Sequence, residues 1–382
     1  MSHLTSPRRA ASRVRLTEWN EDLVIETAKQ LREKTGGTTL AVAFVSPDWR
    51  PHLKEFIEIM QVYGHAQQVV GCSAAGFIGT GQEDEDTSGF SVLFLNLPGA
   101  DIGTWVIDEH FQIPRDRPAT GAWLVVGNPL RLNAQALLED MNRIYPGLPV
   151  YGGLATGGWE PETLFTFHHT AGLVDSAGVA VHFPDMVVEG IVSQGCEPIG
   201  EPYTITQVEN DVVLGVGGRR AYDVLVETFE SLTEDDQRVA RGNIMAGLAA
   251  SEYRDDFQRG DFLVRNIIGG DPKSGALKIG AIPRVGQTLQ FQLREKDAAD
   301  ADLRARSEVL KGRKGEPLAM LCFSCGGRGQ GLFGIPNHDA GILEDVFGRV
   351  PVAGFFCNGE FGPVAGVNFL HGYTASVMAF YA

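Results

Sequence analysis

The sequence predicts an α/β protein (α+β) of two domains with mixed β-sheets, built from repeated strand–helix–strand–Gly-loop–strand units. Three segments carry this prediction. Each is an apolar run that ends in Gly, followed by four residues and then a second Gly: "VVGCSAAG" (69–76), "VYGGLATG" (150–157) and "VAGFFCNG" (352–359). A strand-like apolar run and an amphipathic helical pattern precede each segment. The length of 382 residues is typical of two domains.

The first unit is predicted to contain, in order, a helix over 19–34, a strand over 39–46, a helix over 52–62, a strand over 67–71 and a strand over 89–97. The first helix stops at Gly36 and Gly37, because paired glycines end helical spacing. Apolar residues from Leu53 to Met60 recur at i, i+3, i+4 and i+7, which is typical of an amphipathic helix. The residues that follow the first Gly segment, 77–89, are expected to form a loop.

The same order of elements recurs twice. The second unit has a predicted strand over 121–127, a helix capped by Asn133, and strands over 148–152 and 177–183. The third has a strand over 317–325, a Gly-rich loop over 326–334, a helix capped by Asp339, and strands over 350–354 and 372–381. In each unit the first two strands are expected to pair in parallel through a right-handed crossover. The third strand is expected to pair antiparallel, because little chain separates it from the Gly loop.

The region between the second and third units has a different pattern. It predicts a helix from Arg220 to about Glu230, a meander of short strands over 261–295 and a helix over 297–311. A diverged fourth unit in this region is left open. We predict an N-terminal arm and helix (1–36), an N-terminal domain (37–200) and a C-terminal domain (201–382). The basic residues of the arm, which is expected to be flexible, are Arg8, Arg9, Arg13 and Arg15.

Composition excludes several classes of function. The 48 acidic residues outnumber the 32 Lys and Arg, so the net charge of −16 would repel nucleic acids and anionic membranes. No run approaches the roughly 20 apolar residues of a membrane span, and the N-terminus lacks the apolar core of a signal peptide. Five cysteines in a chain of this length favour a reducing cytoplasm over a disulfide framework.

The Gly segments and the polar residues beside them are the candidate ligand site. Glycines at the ends of strands allow backbone N–H groups to point into a cleft, where they suit a carboxylate or a phosphate. Arg328 could hold a carboxylate and Glu360 an ammonium group, so the two together would suit a zwitterion such as an amino acid. The alternatives are that the glycines only permit tight turns and that both charged residues lie exposed on the surface. The full set of candidates is Cys72, Ser73, Gly76, Gly153, Thr156, Cys325, Arg328, Cys357, Asn358, Glu360, Asn368, His371 and Tyr373.

Other motifs give weaker signals. Cys322 and Cys325 form a CxxC pair, but residues three apart on a strand face opposite ways, so neither zinc nor redox chemistry is predicted. The acidic run 82–86 lacks the ligand spacing of a calcium loop and is expected to be solvated. An enzyme remains an alternative, with either Ser73 or Cys357 as its nucleophile. For Cys357 the base would be His371, oriented by Glu360. No metal or cofactor is predicted.

Several of these stretches resemble the FIST family. "VVGCSAAGFIGTG" followed by "SGFSVLFL" is similar to the N-terminal FIST domain. The stretches "GGRRAYDVL", "FLVRNIIGGD", "FSCGGRG", "GFFCNGEFGP" and "HGYTASVMAFY" are similar to the C-terminal FIST domain. The resemblance implies a sensory module for small ligands, with amino acids proposed as ligands, and no firm enzymatic activity. It also implies a signalling protein partner or, by analogy with members that carry an F-box, an adaptor role. We therefore expect a cytoplasmic signal-transduction protein that binds an amino acid or related carboxylate.

Overall fold

The computed structural model describes residues 9–158, 160–174, 177–253 and 256–381. They form two compact units that alternate along the chain. The first unit takes its described residues from Met1–Val192, Leu303–Leu370 and Thr374–Ala382, and the second from Ser193–Asp302 and His371–Tyr373. Sheets with parallel and antiparallel pairs occur together with helices, which confirms the predicted α/β class. The sequence boundary at residue 200 stays a prediction.

The helices of the described residues are α1 (Glu21–Thr35), α2 (Leu53–Val62), α3 (Ala134–Ile144), α4 (Ala221–Glu230), α5 (Glu234–Ala240), α6 (Lys296–Lys314), α7 (Gly329–Phe333) and α8 (His338–Phe347), with 3-10 turns at Pro47–His52 and Pro161–Thr163. The strands are β1 (Ala10–Leu16), β2 (Thr38–Val45), β3 (Ala66–Ser73), β4 (Phe77–Gly79), β5 (Gln82–Asp84), β6 (Gly89–Leu95), β7 (Gly103–Ile107), β8 (Ala122–Gly127), β9 (Val150–Leu154), β10 (Thr166–His168), β11 (Gly172–Val174), β12 (Gly178–Phe183), β13 (Val187–Gln194), β14 (Cys196–Glu209), β15 (Val212–Val216), β16 (Arg219–Arg220), β17 (Ile244–Ala249), β18 (Phe262–Asp271), β19 (Ala276–Ile279), β20 (Thr288–Arg294), β21 (Ala319–Cys325), β22 (Val352–Cys357), β23 (Glu360–Val364), β24 (Val367–His371) and β25 (Thr374–Tyr381).

The three predicted strand pairs are each parallel. They are β2 with β3, β8 with β9, and β21 with β22. The third strand of each unit, β6, β12 or β25, pairs antiparallel with the first, as expected. The pairs lie in sheets of order β1-β6-β2-β3-β10-β11, β24-β23-β9-β8-β12-β7 and β13-β25-β21-β22-β4-β5. Whether these units descend from an internal repeat stays a prediction.

One apolar core joins these three sheets. Its buried residues come from all three parallel pairs and from the antiparallel strand beside each. In it, the ring of Phe44 on β2 packs 4.6 Å from that of Phe355 on β22 and 6.0 Å from that of Phe323 on β21, measured between centroids. This packing places the carboxyl ends of β3, β9 and β22, where the Gly segments begin, around one region of the first unit.

The first Gly of each repeated segment is a packing requirement inside a sheet. Gly71, Gly152 and Gly354 hold equivalent places in the three parallel pairs, each opposite a residue of the preceding strand. A Cβ atom at these positions would lie 1.7 Å from the carbonyl oxygen of Ala43, 1.8 Å from that of Val125 and 1.9 Å from that of Cys322, respectively. No side chain fits at such distances, so these glycines permit close strand approach. Their role is structural and does not require a ligand.

Three local predictions in the first unit are wrong. Residues 10–16 form the edge strand β1, antiparallel to β6, and are not a flexible arm, because Ala10 and Ala11 are buried in the core. Arg8 lies outside the described residues. Residues 77–84 form the β4–β5 hairpin, and β4 pairs with β22. The Gly-rich segment 326–334 contains the short helix α7.

The second unit is an antiparallel sheet of order β14-β20-β17-β18-β19-β15-β16. The long strand β14 also pairs with β15, so the pairings close into a ring, as in a small barrel. The predicted meander over 261–295 is wrong for its last strand. A meander would pair β20 with β19, whereas β20 pairs with β17 and β14. Among the described residues of this sheet there is no further parallel pair of the kind seen in the first unit.

Candidate functional site

The three Gly segments are joined by direct hydrogen bonds. The Thr156 hydroxyl accepts from the N–H of Ala75 at 3.0 Å and donates to the carbonyl of Phe356 at 2.7 Å. The N–H of Thr156 donates to Ser73 O at 3.2 Å, and that of Asn358 donates to Leu154 O at 3.0 Å. The segments therefore converge, and these three N–H groups are bound to protein acceptors.

The candidate residues of the first two segments fill this junction. Gly153 lies against Cys357, since a Cβ at Gly153 would be 2.5 Å from its Sγ. Gly76 is equally confined, because its Cβ would be 2.9 Å from the Asp84 carbonyl oxygen. Ser73 is buried and its Oγ accepts from the N–H of Phe165 at 3.2 Å. Burial also raises the pKa of the Cys72 thiol.

Cys357 is a buried wall residue. Its side chain is 2% exposed, and its Sγ lies 3.5 Å from the Phe355 carbonyl oxygen. Burial, and next the neighbouring Glu360 carboxyl group, raise the pKa of the Cys357 thiol well above its ordinary value. A thiol that resists ionisation is a poor nucleophile.

Arg328 is buried and paired inside the protein. Its Nε donates to Oδ2 of Asp339 at 2.7 Å and its Nη2 donates to Oδ1 at 2.9 Å, a bidentate geometry. The guanidinium lies 5.2 Å from the ring centroid of Phe333. Its third nitrogen, Nη1, is buried without a hydrogen-bond partner among the described residues. The expectation that Arg328 could be an exposed loop residue is wrong, since it is only 1% exposed.

Asp339 organises this pair from the first turn of α8. The predicted capping role is wrong, because Asn337 precedes the helix and Asp339 is buried within it. Its Oδ2 also accepts from the Ser324 hydroxyl at 2.7 Å, and His338 Nδ1 lies 2.9 Å from its Oδ1. Burial opposes ionisation, but the Arg328 charge and these hydrogen bonds outweigh it and hold the pKa of Asp339 below its ordinary value. The Arg328–Asp339 pair is therefore fully ionised.

Glu360 is the second charged residue of the candidate ligand site, and it is also buried. It begins β23 and is 0% exposed, so the alternative of a surface carboxylate is wrong. Its Oε2 accepts from the Thr374 hydroxyl at 2.8 Å, whereas Oε1 is buried without a hydrogen-bond partner in the described part of the chain. Burial raises the pKa of Glu360 to about 8, although the Thr374 hydrogen bonds and the Arg328 charge partly oppose the shift. At neutral pH the group is mostly protonated.

Glu83 extends the same cluster. It was expected in a solvated loop, but it lies on β5 and its Oε1 accepts from the N–H of Ala340 at 2.8 Å. Burial, and next the Asp339 charge, raise the pKa of Glu83 to about 8. The Arg328 charge lowers the pKa of both Glu83 and Glu360, so one guanidinium acts on both carboxyl groups. We call Arg328, Asp339, Glu83 and Glu360 the buried charge cluster.

The buried charge cluster makes stability depend on pH. A carboxyl group whose pKa rises from 4.5 to about 8 on folding stabilises the protein below pH 4.5, and the contribution is lost as pH rises through 8. Relative to the Glu360→Gln variant, the wild-type free energy of unfolding should fall by about 1.4 kcal/mol per pH unit in this window. Urea titrations at pH 5 and pH 7.5 measure this.

The comparison with Glu360→Gln is needed because other groups titrate in the same range. Burial lowers the pKa of His168 to about 4, and this gives the opposite slope between pH 4 and 6.5. That contribution is common to both proteins and cancels in the difference. A difference between the two proteins that is constant from pH 5 to 7.5 would contradict the assignment of the shift to Glu360.

The remaining candidates in the first unit have other contacts. Asn368 uses its amide within the fold, with Oδ1 accepting from Val150 N and Nδ2 donating to Asn142 and to the Leu148 carbonyl. Asn358 is exposed and donates to the Ala155 carbonyl. Cys325 is half-buried at the end of β21, and it is close enough to Glu360 to hydrogen-bond it.

Two candidates belong to the second unit. His371 is buried and ends β24. Tyr373 has a left-handed backbone, with φ of 61°, and its hydroxyl contacts Oδ1 of Asn266. Its ring packs beside Cys196, Met245 and Val264, and the Arg294 guanidinium lies 5.2 Å from the ring centroid.

Sequence reasoning missed Ser324, Thr374 and the true roles of Glu83 and Asp339. The available signal was a polar residue inside an otherwise apolar strand, as at Ser324 in "AMLCFSC" and at Thr374 in "TASVMAFY". Such residues need a buried partner.

All five cysteines are free thiols. Within the described residues there is no group of three or more His, Cys, Asp or Glu placed to hold a metal ion. Nor does any described helix have the length and apolar character needed to cross a membrane.

Fold and site together define a two-domain α/β protein with a buried polar cluster beside converging Gly segments. The model of the FIST N domain matches residues 39–219 and that of the FIST C domain matches residues 221–363. The chain therefore belongs to the FIST family, as its motifs indicated. FIST domains are sensory and signal-transduction domains that bind small ligands.

The chain is also similar to several individual proteins. An uncharacterized protein of Mycobacterium tuberculosis is 34% identical over 367 residues, which cover 93% of this chain and 95% of that protein. An uncharacterized protein of Mycobacterium bovis is 32% identical over 369 residues, covering 93% and 94%. An F-box/LRR-repeat protein of Arabidopsis thaliana is 28% identical over 159 residues, covering 40% of this chain and 25% of that protein.

Proposed function

We propose that this protein is a cytoplasmic sensor that binds an amino acid, or a related small carboxylate, at the buried charge cluster. One observation carries the proposal. Arg328 Nη1 and Glu360 Oε1 are both buried and both lack a hydrogen-bond partner among the described residues. An unpaired buried polar group costs about 1–3 kcal/mol, so proteins rarely keep two of them in one cluster without a use for them.

A zwitterion satisfies both atoms at once. The ligand carboxylate accepts from Arg328 Nη1, and the ligand ammonium group donates to Glu360 Oε1. Asp339 keeps its bidentate bond to the other side of the guanidinium, so Arg328 stays fixed while it binds. Because only Nη1 is available, Arg328 binds the ligand carboxylate less strongly than it would in a bidentate pair.

The proposed entry for the ligand is at residues 325–327, where the chain has little side-chain bulk. Gly326 is exposed, and Cys325 and Gly327 on either side of it are half-buried. The two glycines place no side chain between solvent and the start of α7, where Arg328 stands.

The test is a thermal-unfolding screen of the wild-type chain against the standard amino acids. A ligand at one hundred times its Kd adds about 2.7 kcal/mol of stability, which raises the Tm by roughly 5–10 °C for domains of this size. We expect one amino acid, or a chemically related group, to give this shift. The matched amine without the carboxylate and the matched acid without the ammonium group should each give much less. If none of the amino acids shifts the Tm, the proposal is contradicted.

An enzyme is less well supported. Both candidate nucleophiles, Ser73 and Cys357, are buried, and the pKa of the Cys357 thiol is raised.

A second candidate function is a protein-interaction adaptor, favoured by the similarity to the F-box/LRR-repeat protein. A negative ligand screen together with a stoichiometric protein partner, retained by the tagged chain in metabolite-free buffer, would favour the adaptor.

A further inference from the structure

One cavity in the first unit has an unusual set of charged residues in its lining. It measures about 560 Å³ and runs along β1. Its lining comprises Ala10–Arg15, Lys34, Thr80, Gln82, Arg349 and Pro351. Four of these residues are basic and none is acidic. In a chain with a net charge of −16, a cavity whose charged lining residues are all basic is unexpected.

The four basic residues come from separate parts of the fold. Arg13 and Arg15 lie two apart on β1 and so share one face of the strand. Lys34 belongs to the last turn of α1, and Arg349 lies between α8 and β22. Basic residues on an edge strand can protect it from aggregation. That explanation covers Arg13 and Arg15 only. Lys34 and Arg349 line the same cavity from other elements, and Arg349 also lies 3.5 Å from the Glu344 carboxylate.

Arg13 gives the most direct evidence for an anion-binding site. Its Nε is buried and has no hydrogen-bond partner within the described part of the chain. The neighbouring Arg15 is held by α1, where its Nε donates to the Thr27 hydroxyl at 3.1 Å. Burial, and next the Arg13 charge, lower the pKa of Arg15, so the two guanidinium groups repel each other. An anion bound between them would relieve this repulsion and satisfy Arg13.

We propose that this cavity binds a small molecule that carries two or more linked phosphate groups. Guanidinium groups match phosphate oxygens in geometry and charge, and three of the four basic residues are arginines. A single carboxylate contacts only one or two guanidinium groups, whereas a diphosphate is long enough to contact Arg13 and Arg15 on one strand face together with a basic residue of another element. The volume is in the range of small-molecule sites. The site is separate from the buried charge cluster, and the proposal does not depend on the amino-acid sensor.

Calorimetric titration of inorganic pyrophosphate into the full chain at 0.15 M KCl tests this. We expect one site per chain. Arg13→Gln should weaken binding about tenfold or more, because a charge-assisted hydrogen bond is worth roughly 1.5–3 kcal/mol. Arg349→Gln should weaken it in the same direction, and its side chain is 84% exposed, so the fold should tolerate the change.

The matched control is Arg143→Gln, which removes one exposed positive charge from α3, away from the cavity lining. It should change pyrophosphate affinity by less than about twofold, since charges beyond a Debye length are screened at this salt concentration. The absence of pyrophosphate binding to the wild type would overturn the proposal. Equal weakening by Arg349→Gln and Arg143→Gln would also overturn it, because it would show attraction without a site.

Discussion

Asp339→Ala should lower the free energy of unfolding by about 3–5 kcal/mol. The substitution leaves the Arg328 guanidinium buried with a full charge and without its bidentate partner, which is among the most costly single changes in a folded protein. It also removes the acceptor of the Ser324 hydroxyl. Urea denaturation at pH 7 measures the change directly.

The control is an ion pair of the same chemistry on the surface. Asp235 pairs with Arg238 while both side chains are more than two-thirds exposed, so Asp235→Ala should cost less than about 1 kcal/mol. Replacing both buried partners, as in Arg328→Met with Asp339→Leu, should recover much of the loss, because no charge then stays unpaired. If Asp339→Ala costs no more than Asp235→Ala, the buried pair does not have the role assigned here.

Gly354→Ala should destabilise the protein by about 3 kcal/mol or more. The new Cβ would stand 1.9 Å from the carbonyl oxygen of Cys322 and 2.8 Å from its carbonyl carbon. Both atoms belong to the backbone of the paired strand, so the contact is relieved only if β21 and β22 separate and lose hydrogen bonds. Gly71→Ala and Gly152→Ala should behave alike, since each meets a backbone carbonyl at a similar distance.

Gly312→Ala provides the matched control. Gly312 lies within α6, is exposed, and has open space where a Cβ would stand. There the substitution should stabilise the protein by about 0.5–1 kcal/mol, because alanine favours helix. Similar destabilisation by Gly312→Ala and Gly354→Ala would show that steric contact in the sheet is not the cause.

The architecture of the first unit could be predicted because it depends on local patterns. Buried strands such as β2 and β8 are continuous apolar runs, and α2 and α3 show helical spacing, so their order indicates parallel pairs. The repeated glycines were recognised, but the packing of Gly71, Gly152 and Gly354 against the neighbouring strand was not predicted. The sequence shows that a Gly recurs, whereas only the strand pairing shows which carbonyl oxygen lies against it.

The buried charge cluster could be predicted only in part. Arg328 and Glu360 were chosen because charged residues beside Gly segments are unusual, and both proved to be buried. The partnership of Arg328 with Asp339 depends on the turn of α7 between them, which the Gly-rich sequence did not indicate. Glu83 was missed because its strand has three residues, and it becomes partly buried only when β4 of the β4–β5 hairpin pairs with β22.

The central claim is that a ligand ammonium group pairs with Glu360. In the free protein the pKa of Glu360 is about 8, so at pH 7 the group is mostly protonated and must lose its proton to accept a cation. The most direct measurement is calorimetric proton counting at pH 7, in two buffers of different ionisation enthalpy, with the amino acid that gives the largest thermal shift. We predict the release of about one proton per ligand bound by the wild type, and no release by a Glu360→Gln variant with weakened binding. Binding without proton release, or the same release from both proteins, would contradict the claim.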